Sequence, residues 1–419
     1  MKRVLLIAFH FPPLAGSSGI QRALHLALQL PTHGWSASVL TAHSRAYERI
    51  DERAHAQPSA GLEVRRAFAL DAGRHLTIAG KYPGWLARPD RFTSWILGAI
   101  PVGLSMIRRH RPDILFSTYP VPSAHVIAYW LSRLSGIPWI ADFRDPMAHE
   151  GYPEDAATWE SYVKVERLAI RQAAALVFTC PGAARLYATR YPARAAHIHV
   201  VENGYDEQSF EAAQALGPST PLNEGAFTIL HSGIVYPKWR NPANLFAALR
   251  RLRPTSATFA RLKLRFRAPV HDEWLSDLAA HHDVAEHVEI LPPIPYVDAL
   301  AEMLRSDALL VLQGDSCSDQ IPAKVYEYLR AGLPILGLAS GDTANLLRRA
   351  GCPALASLES APAVAQALDT LLASPRTPPS HAEQVAAGAT RQARTGELAR
   401  LLAHYSCNTP NRYGSALDH

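Results

Sequence analysis

Short apolar runs alternate with longer amphipathic stretches along most of this 419-residue chain. A strand buried on both faces of a parallel sheet is a short continuous apolar run, whereas a connecting helix keeps only one apolar face. The alternation therefore predicts successive parallel βαβ units. The strands predicted in the first half are residues 4–9, 36–41, 113–119, 139–143, 176–179 and 197–202, with another within 61–70. Those predicted in the second half are residues 228–231, 262–267, 288–291, 308–312 and 335–338.

The length of the chain fits two domains of roughly 200 residues each. Residues 207–225 are irregular and contain Gly217, Pro218 and Pro221, so the linker is predicted there. The prediction is thus an α/β protein with two doubly wound, Rossmann-like parallel-sheet domains, 1–206 and 226–380. A final helix at 382–405 is expected to pack back on the first domain, and residues 408–419 are expected to form a disordered tail.

Residues 318–334 combine acidic, basic and helix-boundary signals. Pro322 suits the first position of a helix, and Gly332 suits its end. Lys324 adds positive charge where the helix dipole is already positive, an arrangement that favours a bound phosphate. Asp319 in the preceding loop and Glu327 one turn into the helix could then bind hydroxyl groups, as a sugar nucleotide requires. The alternative is an ordinary surface helix with solvated charges.

Two other stretches have the character of ligand sites. The loop of residues 11–19 is rich in small residues, including Gly16 and Gly19, which let a ligand approach the backbone. It lacks the GxGxxG pattern of dinucleotide sites, and a plain tight turn is the alternative. Asp142, Arg144 and Asp145 lie at the carboxyl end of the predicted strand at 139–143, where α/β ligand sites form.

Composition indicates the compartment of the protein and the kinds of ligand it binds. Four dispersed cysteines favour a reducing compartment, and no spacing of ligand residues indicates a metal. The apolar run at residues 4–9 is too short for a signal peptide, and no run approaches the roughly 20 residues of a membrane span, so a cytosolic location is expected. No dense basic stripe with interleaved aromatics indicates nucleic acid.

The charge is uneven along the chain. Residues 1–205 hold 23 Lys and Arg against 15 Asp and Glu, whereas the remainder holds 19 against 22. The basic half suggests an anionic membrane surface or phosphorylated lipid, with solubility charge as the alternative. A helix predicted at residues 91–110, flanked by Trp85, Arg88, Arg108, Arg109 and Arg111, is either a membrane-surface element or a core-packed helix.

The order of several segments resembles the group 1 (family 4) glycosyltransferases, retaining enzymes with the GT-B fold of two domains facing across a cleft. The segments are the loop with Pro12, Pro13 and Gly16–Gly19, and residues 141–146, 200–206, 231–233 and 319–334. The resemblance covers most of the chain.

The resemblance implies roles for individual residues. It places Asp319 near the donor sugar, Glu327 on the ribose, and the backbone of Gln320 and Ile321 around the donor. Gly16, Gly19 and Gly233 belong to the donor-binding loops. Because Ile234 stands where relatives have an Arg, the contacts to the diphosphate are expected from Lys238, Arg240 and Lys324.

A second departure lies in the first domain. Arg144 stands where many relatives have a His near the donor sugar, and His10, His125 or Asp142 could replace that function. Cations and helix N–H groups aimed at the leaving diphosphate are expected to supply the largest catalytic effect. The family usually needs no metal ion, so none is expected.

These observations predict a cytosolic glycosyltransferase that binds a nucleotide-sugar donor mainly through residues 230–340. The basic first half is expected to bind the acceptor, a glycan or a lipid-linked precursor of a surface polysaccharide, at the inner face of the cytoplasmic membrane. Two alternatives remain open at this point: a sugar-nucleotide epimerase of the same architecture, and a non-catalytic binding or scaffold protein.

Overall fold

The computed structural model describes residues 1–16, 18–50, 61–149, 151–217, 220–252, 261–373 and 377–407. The chain divides into two compact units. The first unit contains Met1–Glu202 and the C-terminal helix that begins at Arg391, and the second contains Asn203–Thr390. The predicted tail at 408–419 lies outside the described residues. None of the described helices is both long enough and apolar enough to cross a membrane.

The described part of the first unit contains a parallel sheet in the order β3-β2-β1-β4-β5-β6-β7. Its strands are β1 (Lys2–Ala8), β2 (Trp35–Ala42), β3 (Glu63–Ala67), β4 (Ile114–Thr118), β5 (Trp139–Arg144), β6 (Ala175–Phe178) and β7 (Ile198–Val200). Its helices are α1 (Ser18–Gln29), α2 (Ala72–His75), α3 (Ser94–His110), α4 (Ser123–Ser135), α5 (Ala156–Gln172) and α6 (Pro181–Arg190). The strand order reverses between β1 and β4, and ligands bind α/β sheets at such a switch point.

The second unit repeats this plan with a parallel sheet in the order β10-β9-β8-β11-β12-β13. Its strands are β8 (Phe227–Ser232), β9 (Leu262–Arg267), β10 (Val288–Leu291), β11 (Ala308–Leu312), β12 (Ile335–Leu338) and β13 (Ala354–Ala356). Its helices are α7 (Glu207–Gln214), α8 (Ala243–Leu252), α9 (Asp272–His281), α10 (Tyr296–Leu304), α11 (Lys324–Ala331), α12 (Gly341–Arg349), α13 (Ala361–Ala373) and α14 (Ala382–Ala387). Here the switch point lies between β8 and β11.

The apolar runs become the central strands because both faces of each sheet are covered by helices. Every residue of β4, β11 and β12 is buried. Edge strands are less enclosed, and β10 and β7 contain no fully buried residue. The predicted α/β class, with two Rossmann-like parallel-sheet domains, is therefore confirmed.

The linker predicted at 207–225 is not irregular along its whole length. Residues 207–214 form α7, which packs on α10 within the second unit. Asp206 caps this helix by accepting a hydrogen bond from the Ser209 N–H at 2.9 Å, and Phe210 is fully buried. The helix is too short for its periodicity to stand out in the sequence, and tertiary burial of Phe210 stabilises it.

The helix predicted at 382–405 is two helices. The helix is interrupted at residues 388–390. Gly204 packs against this interruption so closely that a Cβ on residue 204 would be 2.4 Å from the Ala389 carbonyl oxygen. The second piece, α15 (Arg391–Cys407), belongs to the first unit, where Thr395 donates a hydrogen bond of 3.0 Å to Gln29. The predicted helix therefore contributes to both units.

Candidate functional site

The second unit gathers charged side chains at the carboxyl ends of β8 and β11. Gly233 follows β8 with a φ of +111°, a conformation that glycine adopts without strain. A Cβ at this position would lie 3.1 Å from the Lys324 Nζ atom, at the start of α11. The glycine thus allows the chain after β8 to pass close to the ammonium group, and it brings two segments of the predicted site together.

Lys324 is held by a buried histidine. His231 donates a hydrogen bond from Nδ1 to the Leu310 carbonyl oxygen at 2.9 Å, and its Nε2 atom lies 3.0 Å from Lys324 Nζ. With Nδ1 carrying the proton, Nε2 accepts from the lysine. Burial, reinforced by Lys324, lowers the pKa of His231 well below its usual value, so the ring is neutral. The sequence indicated His231 only as part of a family segment and assigned it no role.

The surroundings of Lys324 oppose its positive charge. Burial lowers the pKa of Lys324 well below the ordinary lysine value, Arg240 lowers it further, and Glu327 opposes both effects. Arg240 donates a hydrogen bond of 3.2 Å to the Ile234 carbonyl oxygen and lies over the Tyr236 ring. Two partly buried cations near the N-terminus of α11 therefore favour an anionic ligand.

Glu327 lies in the first turn of α11 and is oriented by Tyr296. The Tyr296 hydroxyl donates a hydrogen bond of 2.6 Å to Glu327 Oε1. Tyr296 is the first residue of α10, which follows the carboxyl end of β10. Its position after a strand could have marked it as a site residue, but the sequence contains no spacing that links it to Glu327.

The loop between β11 and α11 is held in place by hydrogen bonds from two side chains to its backbone. Gln313 is fully buried and donates hydrogen bonds to the carbonyl oxygens of Cys317 at 2.8 Å and Gln320 at 2.9 Å. The Thr343 hydroxyl also donates to Gln320 at 2.8 Å. Asp319, partly buried, and Ile321, fully buried, flank Gln320, so their backbone is held in place.

Two predictions in this region need correction or refinement. Pro322 does not occupy the first position of the helix, because α11 begins at Lys324. Gly332 does end it, in the left-handed conformation with a φ of +67°. Lys238 is exposed on the loop after β8, two residues before Arg240.

The first unit gathers a second polar cluster at its own switch point. Arg144, at the end of β5, has a φ of +62°, and the pairing register of β5 with β6 shifts between Asp142 and Arg144. This bulge redirects the side chain. Arg144 Nη1 donates to the Tyr119 carbonyl oxygen at 3.1 Å, while its buried Nε atom has no hydrogen-bond partner among the described residues.

Gly19 and His10 lie against Arg144. A Cβ at Gly19, in the first turn of α1, would be 2.4 Å from Arg144 Nη1 and 3.1 Å from His10 Nδ1, so a larger residue would have to displace the Arg144 side chain. Burial, with the charge of Arg144, lowers the pKa of His10 to about 3. Burial also raises the pKa of Asp145, and Arg144 opposes that shift. Gly16 lies in the exposed approach to α1 with a φ of +84°.

Asp142 and His125 have hydrogen-bond partners within the core of the first unit. Arg22 donates from Nε and Nη2 to the two carboxylate oxygens of Asp142 at 3.1 and 3.0 Å, and Thr118 adds a bond of 2.8 Å. This fully buried carboxylate therefore holds α1 against the sheet, and its catalytic role stays a prediction. His125 is buried beside Phe143 and bonds Ser117. Of the three alternatives to the family histidine, His10 is the one in contact with the Arg144 cluster.

Comparison with known proteins identifies the first unit. Residues 18–204 match the family model of a glycosyl transferase 4-like domain. No curated protein sequence matches the chain. The resemblance predicted from the sequence is confirmed by this match.

Solved structures share the fold of the whole chain. Sucrose-phosphate synthase from Thermosynechococcus elongatus has a TM-score of 0.71 at 16% identity over 98% of this chain and 100% of that one. HepE from Anabaena, solved in complex with UDP, has a TM-score of 0.67 at 16% identity over 96% and 100%. WaaG, a glycosyltransferase involved in lipopolysaccharide biosynthesis, has a TM-score of 0.63 at 14% identity over 96% and 99%. These likenesses confirm the predicted GT-B fold.

Proposed function

We propose that this protein is a retaining glycosyltransferase whose second unit binds a nucleotide-sugar donor. One observation carries the proposal: Lys324, held by neutral His231 and close to Arg240, stands at the start of α11, where burial opposes its positive charge and Glu327 favours it. A diphosphate bound there would meet two cations and the positive end of a helix. The glycosyl transferase 4-like domain of the first unit supports the same enzyme class.

Glu327 would bind the ribose. Its Oε1 atom accepts a hydrogen bond from the Tyr296 hydroxyl, and this contact orients the carboxylate. The backbone around Gln320 would line the sugar side, with Asp319 as the nearest carboxylate in sequence. Because HepE was solved with UDP and with UDP-glucose, uridine nucleotides are the first donors to examine.

The chemistry asked of the donor site is electrostatic. When the glycosidic bond to the diphosphate breaks, negative charge accumulates on the phosphate oxygens while the sugar becomes oxocarbenium-like. Lys324 and Arg240 would stabilise the negative charge on the leaving group. Such electrostatic stabilisation is usually the largest single contribution to an enzyme's rate enhancement. The mechanism as proposed uses no metal ion, and treatment with a chelator should leave turnover unchanged.

The first unit would bind the acceptor. The Arg144 cluster offers a neutral His10 and a guanidinium whose Nε has no hydrogen-bond partner among the described residues, groups suited to hydroxyls or a phosphate. A glycan or lipid-linked acceptor for a surface polysaccharide, at the inner face of the cytoplasmic membrane, fits this chemistry. The proposed location is cytoplasmic.

A thermal-shift series with UDP, GDP, ADP and their sugars tests donor binding, because a ligand that binds only the folded state raises the unfolding temperature. The Lys324→Met variant should lose the shift, and Lys263→Met, which removes a partly buried lysine of β9 that donates to the Glu286 carbonyl oxygen, should keep it. Release of nucleoside diphosphate on adding acceptor distinguishes a transferase from a scaffold, which would bind without turnover. Conversion of one sugar nucleotide to another without release would instead indicate an epimerase.

A further inference from the structure

The second unit contains a cleft of about 600 Å³ between α7 and α10. Its floor is formed by β9, and none of its described lining residues belongs to the candidate donor site around Lys324, Arg240 and Glu327. The volume lies within the range of roughly 300–1,000 Å³ that is typical of small-molecule sites. The cleft is therefore large enough to hold a ligand of its own.

The floor of the cleft is a pair of arginines on one face of β9. Arg265 and Arg267 alternate along the strand with the buried Leu264 and Phe266, so they lie on the opposite face of the sheet from these core residues. Both donate to Glu302 of α10, at 3.2 Å from Arg265 and 2.8 Å from Arg267 Nε. Hydrogen bonds within the protein use three N–H groups on each arginine. A guanidinium offers more donors than this, so each arginine can bind a ligand while it keeps these contacts.

One face of α10 forms a wall of the cleft. Asp298, Ala301, Glu302 and Arg305 all line it, and their spacing of three and four residues places them on the same side of a helix. The Asp298 side chain is exposed. Arg305 donates hydrogen bonds to the Thr220 carbonyl oxygen at 2.8 Å and to its hydroxyl at 3.1 Å, which hold the guanidinium in place. This wall therefore presents both carboxylates and a further cation to the space above the arginine pair.

The chemistry of the lining favours a sugar that carries one phosphate group. Three arginines and two acidic residues line the described part of the cleft, an excess of one positive charge. Guanidinium groups bind phosphate oxygens through paired, charge-assisted hydrogen bonds. Carboxylate oxygens accept hydrogen bonds from hydroxyl groups, and Ile294 and Leu304 add an apolar surface for the carbon skeleton of the ring. A neutral sugar would leave the excess charge unmatched, and free phosphate would leave the carboxylates without hydroxyl partners.

Both helical walls of the cleft are bonded to α11, the helix of the candidate donor site. Tyr296, the first residue of α10, donates a hydrogen bond of 2.6 Å to Glu327. Glu207, the first residue of α7, accepts one of 2.8 Å from Arg330 Nε, and the Arg330 guanidinium lies over the Phe210 ring. A ligand that contacts both α7 and α10 would therefore hold two supports of α11 in one arrangement.

We propose that this cleft is a second ligand site, which binds a sugar phosphate and, when occupied, strengthens nucleotide binding beside α11. The phosphate lies among Arg265, Arg267 and Arg305, and hydroxyl groups of the sugar donate to Asp298 and Glu302. The two sites influence each other because a ligand that favours one arrangement of the shared helices shifts the equilibrium for both ligands. The strengthening rests on the proposed donor function, whereas binding in the cleft does not.

The test of binding is titration calorimetry of the full chain with three probes, namely glucose 6-phosphate, glucose and inorganic phosphate. The hexose phosphate should bind at least about tenfold more tightly than either of the others, because only it contacts arginines and carboxylates together. No heat of binding at millimolar hexose phosphate, or equal affinity for inorganic phosphate, would overturn the proposal.

Variants of α10 locate the bound probe. Arg305→Gln should weaken hexose phosphate binding roughly tenfold, because a hydrogen bond to a charged group is lost. Ala301→Leu should weaken it at least about tenfold, because the larger side chain occupies part of the cleft. The matched controls are Arg250→Gln on α8 and Ala299→Leu on α10, at positions that do not line the cleft. Both controls should keep wild-type affinity.

The donor-site variant Lys324→Met separates the two proposed sites. It should lose the nucleotide-induced thermal shift but keep wild-type affinity for hexose phosphate, because Lys324 does not line the cleft. Loss of hexose phosphate binding in Lys324→Met, or unchanged binding in Arg305→Gln and Ala301→Leu, would show that the probe binds elsewhere and would overturn the proposal. A wild type that binds hexose phosphate but no nucleotide would refute the donor site and the strengthening together, while the cleft stands.

The strengthening is measured by titrating nucleoside diphosphate with and without saturating hexose phosphate. Nucleotide affinity should rise at least about fivefold when the cleft is occupied, and hexose phosphate affinity should rise by the same factor when nucleotide is bound. Tyr296→Phe should reduce this factor, because it removes one of the two bonds between the walls and α11. Unchanged or weaker nucleotide binding in the presence of hexose phosphate would overturn the strengthening.

Discussion

The hydrogen bond between Tyr296 and Glu327 makes a sharp test of the donor site. Tyr296→Phe removes one hydroxyl and leaves the ring, so it creates almost no cavity. The bond lost is a short O–H···O⁻ contact of 2.6 Å to a carboxylate, and such charged hydrogen bonds contribute about 1.5–3 kcal/mol. Part of that loss should be recovered by water, because both residues are only partly buried.

We therefore expect the affinity for nucleoside diphosphate to fall by about 1–1.5 kcal/mol, roughly five- to tenfold in Kd. Titration calorimetry with the diphosphate chosen by the thermal-shift series gives this value directly. Tyr191→Phe is a matched control, because Tyr191 makes an equivalent 2.6 Å bond to Glu166 in the first unit. It should lower stability without changing nucleotide affinity.

A double-mutant cycle with Glu327→Ala decides whether Tyr296 acts through Glu327. Glu327→Ala alone should weaken binding by about 1–3 kcal/mol, as expected for a hydrogen-bond partner of the ribose. Adding Tyr296→Phe should then cost almost nothing more, because the two residues form one unit. Additive losses, or unchanged affinity in Glu327→Ala, would refute the assigned roles.

Three further predictions concern single positions. Gly19→Ala should lower turnover at least about tenfold while nucleotide affinity stays unchanged. The new Cβ would lie 2.4 Å from Arg144 Nη1, so it would displace that side chain. Steady-state kinetics measures the turnover, and calorimetry measures the affinity. The lowered pKa of Lys324 makes nucleotide affinity decline as pH rises through that pKa and predicts proton uptake on binding. Calorimetry in buffers of different ionisation enthalpy should show the uptake in the wild type and lose it in Lys324→Met. Lys324 should also make the unliganded protein more stable as pH rises from the folded pKa toward the unfolded one, because the unfolded state binds the extra proton. Glu302→Gln should reduce the free energy of unfolding by about 1–3 kcal/mol in urea titrations, because it removes the carboxylate paired with partly buried Arg267, whereas Arg265 keeps Glu289.

The local sequence was sufficient for the elements that periodicity defines. The apolar runs at 308–312 and 335–338 correspond to β11 and β12 residue for residue, because both strands are buried on two faces. Gly332 marked the end of α11 because a left-handed residue there strongly favours glycine. The strand ends placed Arg144, Gly233 and Lys324 near switch points, since topology alone brings carboxyl ends together.

The sequence could not show which side chains meet once these elements pack. Lys324 contacts His231 across 93 residues, and Glu327 contacts Tyr296 across 31. A bulge in β5 turns Asp142 into the core toward Arg22 and Arg144 toward Gly19. No local pattern in the sequence predicts this bulge. Most strands and helices thus follow from the sequence by itself, because periodic burial is a local property. The strand β13 and the helix α7, which the sequence did not predict, are short. The partners of Glu327, Lys324 and Asp142 were decided only by the tertiary structure, because they depend on register and on the direction of each side chain after packing.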